Sequence, residues 1–334
     1  MDQELRDRIP ILNFLFMMEV VLYHCESPSN TLAVNSVDLW CNSFITNFVA
    51  LMGGPCMSFF FCVTGFLLFY GMNFHNYGQK LKKRVSGILV PYVLWQMIFL
   101  LKSILQGNHW TILGVVLKVF MLQFWPPLGA FWYLYAVFLL ALISPLFLLL
   151  FRNEKIAGFI PPVLIVLLRH WEKYYYINFG YLGNTILYFP AYIIGCYLGN
   201  SYDRYSDRER LRYLLSFILL GVIFNGVFND FLTEMTLETF SAALLFLFPV
   251  KSWMKNRRVY SLSFLILAIH QSVISVSVYR IRALTAKLIP YVFVSNLTGR
   301  IIGILLSIGA AAALRVIMKK FAPKTLNVLT GGRA

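Results

Sequence analysis

Ten apolar segments, each close to the length of a bilayer crossing, dominate this chain of 334 residues. A helix needs about 20 predominantly apolar residues to cross the hydrocarbon core of a membrane. The chain is 59% hydrophobic and 13% charged, whereas soluble domains average about a quarter charged residues. The sequence therefore predicts an all-α polytopic membrane protein with about ten transmembrane helices. The predicted spans are 9–25, 44–70, 85–106, 130–151, 156–170, 182–200, 211–231, 235–254, 260–280 and 299–320.

One further apolar stretch, 108–124, is too short to span the bilayer and contains Lys118. We interpret it as an interfacial or re-entrant helix. No internal repeat, low-complexity tract or long polar linker interrupts the chain. We therefore expect one transmembrane domain over residues 1–334.

The basic residues test this topology. With the N-terminus placed inside, 21 of the 29 Lys and Arg residues fall in inner segments and eight, Arg282 and Arg300 among them, fall in outer segments, in agreement with the positive-inside rule. A miscounted helix would invert the assignment beyond it, so the alternation supports ten spans with both termini in the cytoplasm. The net charge of +15 is then an orientation signal, and membrane lipids are the expected partners. No basic stripe with interleaved aromatic residues lies in a polar domain, which argues against nucleic acid as a partner.

The five cysteines form no CxxC pair. Cys56, Cys62 and Cys196 lie in apolar runs, as small buried hydrophobic residues do. Cys25 and Cys41 flank one loop and could form a disulfide if that loop is extracytoplasmic. The chain has no metal-spaced His/Cys cluster, P-loop, GxSxG or HExxH motif, so neither a metal site nor an ATPase or hydrolase is expected.

The first span carries two titratable residues, Glu19 and His24. A histidine titrates near neutral pH and can act as a general base, although an interfacial histidine bonded to water is the alternative. An acid within the bilayer is costly unless it is neutral, paired or in a wet cavity. At about 100° per residue, Asn13 lies within roughly 20° of His24, whereas Glu19 lies roughly 140° away. Asn13 and His24 therefore share the face of a candidate cavity, and Glu19 points elsewhere.

A basic cluster precedes the third span, and Lys80, Lys83 and Arg84 belong to it. These side chains could bind the phosphates of an anionic cofactor, with Arg84 best suited to bidentate contact. An orientation signal that also contacts lipid phosphate is the alternative. Pro91 lacks an N–H and is expected to loosen the helix that follows the cluster.

Three other stretches carry polar residues within apolar surroundings. Thr64 and Gly65 are small residues that permit close helix packing. Trp132 lies in an aromatic group at the predicted outer interface, which is typical of membrane anchoring, although a sugar could also stack on such rings. His270 and Gln271 lie mid-membrane and need partners in protein or water.

These segments, in order, resemble the acyltransferase-3 family of ten-helix membrane O-acyltransferases over roughly residues 9–320. The matching pieces are VVLYH, FFFCVTGFLLFYG, LKKRVSGILVPYVLW, FWYLYAVFLLALISPL, FPAYIIGCYLGN and SLSFLILAIHQSVI. The resemblance implies transfer of an acyl group, usually acetyl, from cytoplasmic acyl-coenzyme A to a sugar hydroxyl of a cell-envelope glycan or lipid-linked precursor. It also implies location in the plasma membrane, the inner membrane of a bacterium, and a base at the position of His24.

The chain departs from the family pattern at two arginines. The family usually has arginine where this chain has Asn13, eleven residues before His24, and where it has Gly87, three residues after Arg84. A family serine is replaced by Thr64. Arg6, Arg8 and Lys83 are candidates to supply the missing positive charge.

The leading hypothesis is a membrane O-acyltransferase with acyl-coenzyme A, usually acetyl-coenzyme A, as donor substrate. His24 would be the catalytic base and Glu19 a secondary proton or polarity element. Lys80, Lys83 and Arg84 would bind the donor, and Asn13 and Trp132 would contact substrate. The alternative, raised by Asn13 and Gly87, is a non-catalytic relative that exports or flips a glycan intermediate or serves as a partner subunit. A secondary transporter is a third reading, but the sequence lacks the expected inverted repeats. A homo-oligomer is compatible with the sequence.

Overall fold

The structure is a computed structural model that describes residues 2–25, 28–120, 126, 128–174, 183–255 and 258–333. Within these residues the chain forms helices and no β-strand. Single turns at Glu154–Ala157 and Gly183–Leu187 join some of the longer helices. The helices are α1 Gln3–His24, α2 Ser36–Phe69, α3 Tyr77–Leu105, α4 Ile112–Val119, α5 Gly129–Leu150, α6 Ile160–Tyr174, α7 Phe189–Asn200, α8 Asp207–Phe224, α9 Phe231–Leu247, α10 Arg258–Leu288, α11 Val292–Phe321 and α12 Pro323–Leu329.

Each of the ten predicted spans overlaps one of these helices. In the described part of the chain, α2, α3, α5, α10 and α11 are long and apolar enough to cross a membrane. The protein is therefore an all-helical integral membrane protein, whereas ten crossings and cytoplasmic termini stay predictions. The short helix α4 falls inside the stretch predicted to be interfacial or re-entrant. Residues 121–124 of that stretch lie outside the described residues.

Packing divides the chain into two compact units, and the single domain over residues 1–334 stays a prediction. Unit 1 comprises Met1–Ile9 and Met57–Val250, and unit 2 comprises Pro10–Cys56 and Lys251–Ala334. Two of the three boundaries fall within α1 and α2, next to Pro10 and Pro55, which lie inside those helices, and the third, between Val250 and Lys251, lies between α9 and α10. Proline removes a hydrogen bond from a helix interior, so each of the first two boundaries coincides with a local weakness of its helix.

In unit 1, α2 and α7 are in backbone contact because glycines line their crossing. A Cβ atom on Gly195 would collide with the carbonyl oxygen of Cys62, and one on Gly65 would collide with that of Tyr192. Gly199 meets the backbone of Phe66 in the same way. Small residues allow this approach, which increases the van der Waals contact between transmembrane helices. The packing role predicted for Gly65 is therefore confirmed.

Helix α3 widens into a π turn at Val85–Leu89. Pro91 has no N–H to donate to the carbonyl four residues earlier, and the N–H of Val90 bonds instead to the carbonyl of Val85. This five-residue hydrogen bond is the mark of a π turn. The loosening expected from Pro91 thus occurs immediately before that residue.

Polar contacts also hold the start of α1 within unit 1. Oδ1 of Asp2 accepts a hydrogen bond from the N–H of Leu5 at 2.7 Å, which caps the helix, and the hydroxyl of Tyr202 donates to the other oxygen of Asp2. The bond from Tyr202 favours the ionised carboxylate and lowers the pKa of Asp2. A charged cap at this position stabilises the first turn of α1.

The cysteines behave as small apolar side chains. Cys56, Cys62 and Cys196 are buried as predicted. Cys25 and Cys41 carry free thiols, so the structure does not contain the disulfide that their flanking positions had made conceivable.

Candidate functional site

Two histidines of unit 2, one on α1 and one on α10, face one another. His24 is the last residue of α1 and is half-buried, while His270 lies in α10 and is fully buried. Their ring centroids are 5.1 Å apart and their planes are tilted by 44°. The sequence indicated both histidines as candidate functional residues but did not predict that they lie next to each other. Their separation places both imidazoles within reach of one small polar group.

The backbone of α10 sets the tautomer of His270. Its Nδ1 lies 3.0 Å from the carbonyl oxygen of Ile266 and 2.9 Å from that of Leu267. Carbonyl oxygens only accept, so Nδ1 carries the proton and Nε2 presents a lone pair. Within the described part of the chain, this buried Nε2 has no hydrogen-bond partner. The His24–His270 pair therefore includes an unused acceptor, an arrangement that can hold or move a proton.

Two buried arginines hold the end of α1 that carries His24. Arg300 donates from Nη1 to the carbonyl oxygen of Leu22 and from Nε to Oδ1 of Asn296, the latter at 2.8 Å. Arg282 donates from Nη2 to the carbonyl oxygen of Cys25 at 3.3 Å. The last carbonyls of a helix lack intrahelical partners and form the negative end of its dipole. The two guanidinium groups donate hydrogen bonds to these carbonyls and place positive charge at the negative end of the dipole, so they fix the final turn of α1.

A polar chain ties this arrangement to the first half of α2. The Asn296 side-chain nitrogen donates to Oδ1 of Asn42 at 2.8 Å. The buried carboxylate of Asp38 accepts from the N–H groups of Val292 and Phe293 at 3.0 and 2.9 Å. Asp38 thus fixes the start of α11, which carries Asn296 and Arg300. The position of His24 depends on contacts from three helices.

We expect Arg300→Met to destabilise the protein by about 3 kcal/mol, since bonds to charged groups contribute about 1.5–3 kcal/mol and two acceptors lose their donor. Thermal unfolding in detergent, followed by circular dichroism, measures the change. Arg280→Met is the matched control, because Arg280 is exposed on α10. Equal unfolding temperatures for both variants would contradict the structural role of Arg300.

The other candidates on α1 lie away from the histidine pair. Glu19 is half-buried, and the ion pairs of the described residues do not include it. It is five positions before His24 on a continuous helix, so the two side chains leave the axis roughly 140° apart. Asn13 is half-buried and shares the His24 side of the helix. The secondary polar role of Glu19 and the substrate contact of Asn13 stay predictions.

A π turn at Ile274–Val278 follows His270 within α10. No proline lies in or directly after this turn. Such turns insert an extra residue into a helix and are frequent at functional sites. Proline therefore does not explain this π turn, which begins one helical turn after the buried His270.

In unit 1, a second polar group forms around Thr64. The Thr64 hydroxyl and the Tyr133 hydroxyl are 2.7 Å apart, and Arg84 donates from Nη2 to the Thr64 carbonyl at 3.2 Å. Tyr133 also donates to the carbonyl of Phe60 at 3.1 Å. Trp132, a predicted substrate contact, is half-buried. Its ring packs on other rings of unit 1, those of Phe61 and Tyr188 at 5.9 Å.

The basic cluster that was predicted to bind the donor is partly engaged within unit 1. Lys80 donates from Nζ to the carbonyls of Leu68 and Tyr70 at 2.8 and 2.5 Å and so caps the end of α2. Lys83 is exposed. Arg84 and Lys80 therefore have a structural task in addition to any binding role, and Lys83 is the cation of the three that projects into solvent.

Arg8, a candidate to supply the positive charge missing at Asn13, is engaged at the end of another helix of unit 1. It is buried and donates from Nε to the carbonyl of Phe248 at 2.9 Å and from Nη1 to that of Leu245 at 3.2 Å. It also pairs with Glu4. These contacts cap the end of α9 within unit 1. Arg6 is exposed.

Sequence reasoning missed the part played by Arg282 and Arg300. Both were counted among the cations of outer segments, yet they are only 8% and 4% exposed. The available signal was the adjacency of Gly299 to Arg300, since a Cβ on Gly299 would occupy the space of the Arg282 side chain. Charge counting cannot distinguish a loop cation from one that folds back onto a helix end.

A histidine pair that can hold or move a proton is consistent with acyl transfer, and comparison with protein families agrees. The family model described as an acyltransferase domain, acyltransferase-3, matches residues 9–316. The chain therefore belongs to the acyltransferase-3 family, and it is a membrane protein of that acyltransferase class. No curated protein and no solved structure matches the chain.

Proposed function

We propose that this protein is a membrane O-acyltransferase that moves an acyl group, usually acetyl, from acyl-coenzyme A to a hydroxyl group. The observation that carries the proposal is the His24–His270 pair in a chain of the acyltransferase-3 family. A hydroxyl is a poor nucleophile until a base removes its proton. Within unit 2, the imidazole of His24 is half-buried and lies at a helix end, where an acceptor can approach it.

The chemical step requires no metal or redox group. His24 takes the proton of the acceptor hydroxyl as its oxygen attacks the carbonyl carbon of the thioester. The new C–O bond forms, the C–S bond breaks, and coenzyme A leaves as a thiolate that then takes up a proton. The lone pair on Nε2 of His270 supports proton movement at the base. Arg282 and Arg300 act as positioning residues, because they fix the turn that carries His24.

Recognition of the donor is assigned to the basic cluster of unit 1. Coenzyme A carries phosphates, which pair favourably with lysine and arginine. Lys83 is exposed and Lys80 and Arg84 are partly exposed, so the three can present positive charge near the end of α2. Asn13 and Trp132 remain proposed substrate contacts, and Glu19 a secondary polar element.

The acceptor is proposed to be a cell-envelope glycan or a lipid-linked sugar, with the protein in the plasma membrane. This part rests on the family, whose members modify such hydroxyls. It also fits the aromatic residues at the start of α5, Trp132 among them, since sugars stack on such rings. Cytoplasmic termini would place the basic cluster on the side where acyl-coenzyme A is available.

The experiment is an acyl-transfer assay on the full-length protein. Membranes that contain the protein receive radiolabelled acetyl-coenzyme A, and the label is followed into the glycan and lipid fractions. Purified protein in detergent is assayed in parallel for release of free coenzyme A thiol, with water as the acceptor. Transfer above the level of membranes without the protein supports the proposal. Absence of both signals would overturn the enzymatic reading.

A non-catalytic role as an exporter, flippase or partner subunit in glycan assembly is the second candidate. The observations that favour it are Asn13 and Gly87 at arginine positions, together with the engagement of Lys80 and Arg84 by carbonyls of α2. Calorimetric titration with coenzyme A distinguishes the two candidates. An acyltransferase that uses this donor binds coenzyme A and releases or absorbs heat. Absence of heat at a coenzyme A concentration of about 1 mM would favour the second role, because a site that is half-saturated at that concentration binds with only about −4 kcal/mol.

A further inference from the structure

The last 96 residues of the chain contain no acidic residue, since no Asp or Glu follows Glu238. Thirteen Lys and Arg residues lie in that stretch. Some of them are buried at the end of α1, but one group is exposed. We define the basic rim as the exposed cations that flank α10 and α11, namely Lys251, Lys255, Arg258, Lys319, Lys320 and Lys324.

The members of the basic rim lie at one end of unit 2. Arg315, in the last part of α11, donates to the hydroxyl of Ser261, near the start of α10, at 2.6 Å. At the opposite end, the hydroxyl of Ser295 donates to the carbonyl of Arg282 at 3.3 Å. The two helices are therefore antiparallel. The segments that precede α10 and complete α11 meet at the same end, and their positive charges add.

An apolar groove lies between the same two helices. Its volume is about 470 Å³, and its walls include Val273 and Val276 of α10 and Leu305, Leu306, Gly309 and Ala310 of α11. A Cβ atom on Gly309 would have no heavy atom within 4 Å, so the glycine leaves this space open. Both helices are long and apolar enough to span the membrane. In the hydrocarbon region, an apolar void of this size is filled by hydrocarbon rather than by water.

The groove and the basic rim are joined along one face of α11. Lys320 follows Gly309 by eleven residues, so the two lie within roughly 20° of one another on the helix. Exposed apolar residues, Val316 and Ile317, lie between them. Eleven residues of helix span about 16 Å, close to half of the roughly 30 Å hydrocarbon thickness. A lipid with its phosphate at Lys320 therefore reaches the groove with the far half of its acyl chain.

Exposed aromatic residues mark the depth of the headgroups. Trp253 is 63% exposed within the segment that precedes α10, and Phe321 is 74% exposed beside Lys320. Aromatic side chains are enriched at the membrane–water interface, and clusters of four to eight basic residues next to a transmembrane helix attract anionic lipid. We infer that unit 2 binds one anionic phospholipid, with its phosphate on the basic rim and one acyl chain in the groove between α10 and α11.

The test uses full-length protein in detergent micelles and two photoactivatable lipids, phosphatidylglycerol and phosphatidylcholine, each with a diazirine at the end of one acyl chain. Mass spectrometry then locates the labelled peptides. In the wild type we expect the α11 peptide around residues 305–317 to be labelled several-fold more by phosphatidylglycerol. Lys319→Gln combined with Lys320→Gln should reduce that labelling to the phosphatidylcholine level. Lys287→Gln, an exposed cation beyond the other end of the groove, should leave it unchanged.

A separate variant tests the contact between the lipid acyl chain and the groove. Gly309→Leu fills the open space and should reduce labelling of the same peptide by either lipid. Gly78→Leu, at another exposed helical glycine with no atom within 4 Å, should not. Equal labelling by both lipids in the wild type, or unchanged labelling in the double lysine variant or in Gly309→Leu, would show ordinary bulk lipid and overturn the inference. Acyl transfer is not measured, so either outcome leaves the proposed function standing.

Discussion

Replacement of His24 by alanine is expected to lower the rate of acyl transfer by at least about 100-fold. General base catalysis contributes about 10²–10⁴-fold to such reactions. His24 is the titratable side chain at the end of α1, and His270 faces it at 5.1 Å between ring centroids. The three carboxylates of α1, those of Glu4, Asp7 and Glu19, leave the helix axis roughly 160°, 100° and 140° from His24. Loss of the imidazole therefore leaves no base on that face of α1.

The measurement is the release of coenzyme A thiol by purified protein, compared with the wild type at saturating acetyl-coenzyme A. Binding of coenzyme A, measured by calorimetry, should be unchanged in His24→Ala, so the loss is expected in kcat. His75→Ala is the matched control, because His75 is exposed in the loop before α3. Equal rates for His24→Ala and the wild type would remove His24 from the mechanism.

Replacement of Gly195 by leucine is expected to prevent unit 1 from packing. A Cβ atom on Gly195 would lie 2.0 Å from the carbonyl oxygen of Cys62, which is backbone and cannot rotate away. Overpacking a well-packed core usually costs about 1–3 kcal/mol through side-chain and backbone shifts. Here two helix backbones must separate, and the neighbouring contacts of Gly65 and Gly199 separate with them. The loss is therefore expected at or above about 3 kcal/mol.

Size-exclusion chromatography in detergent measures the result as the fraction of protein in the monodisperse peak, and thermal unfolding measures it as a lowered midpoint. Gly309→Leu serves as the control for both measurements, since it places the same side chain in a transmembrane helix where nothing lies within 4 Å. A Gly195→Leu protein that matches this control would contradict the close α2–α7 crossing.

Local patterns predicted the helices well because each depends on its own stretch of chain. Apolar runs placed ten helices, and Pro91 predicted the disturbance that the structure contains as a π turn at Val85–Leu89. Small residues in α2 predicted a close crossing, and Gly65 lies in one. The helix boundaries were less accurate. α2 begins at Ser36 rather than near residue 44, since polar residues such as Asp38 and Asn42 find buried partners in α11.

The candidate site was harder to predict than the helices, because it depends on contacts between residues that are distant along the chain. Periodicity could separate Glu19 from His24, because both lie on one helix. It could not bring His270 to His24 across 246 positions of sequence, nor show that Lys80 caps α2. Charge counting, which placed Arg282 and Arg300 in outer segments, could not show that both bind the end of α1, because that interaction depends on how α10 and α11 fold back.

The sequence by itself determined that the chain is a helical membrane protein of the acyltransferase-3 family and that His24 ends its first helix. Hydrophobic length and local motifs are sufficient for those conclusions, since the bilayer leaves a long apolar segment few alternatives to a helix. Only the tertiary structure decided which polar groups meet. It pairs His24 with His270 and directs two arginines to the end of α1, because buried polar groups must find hydrogen-bond partners wherever packing places them.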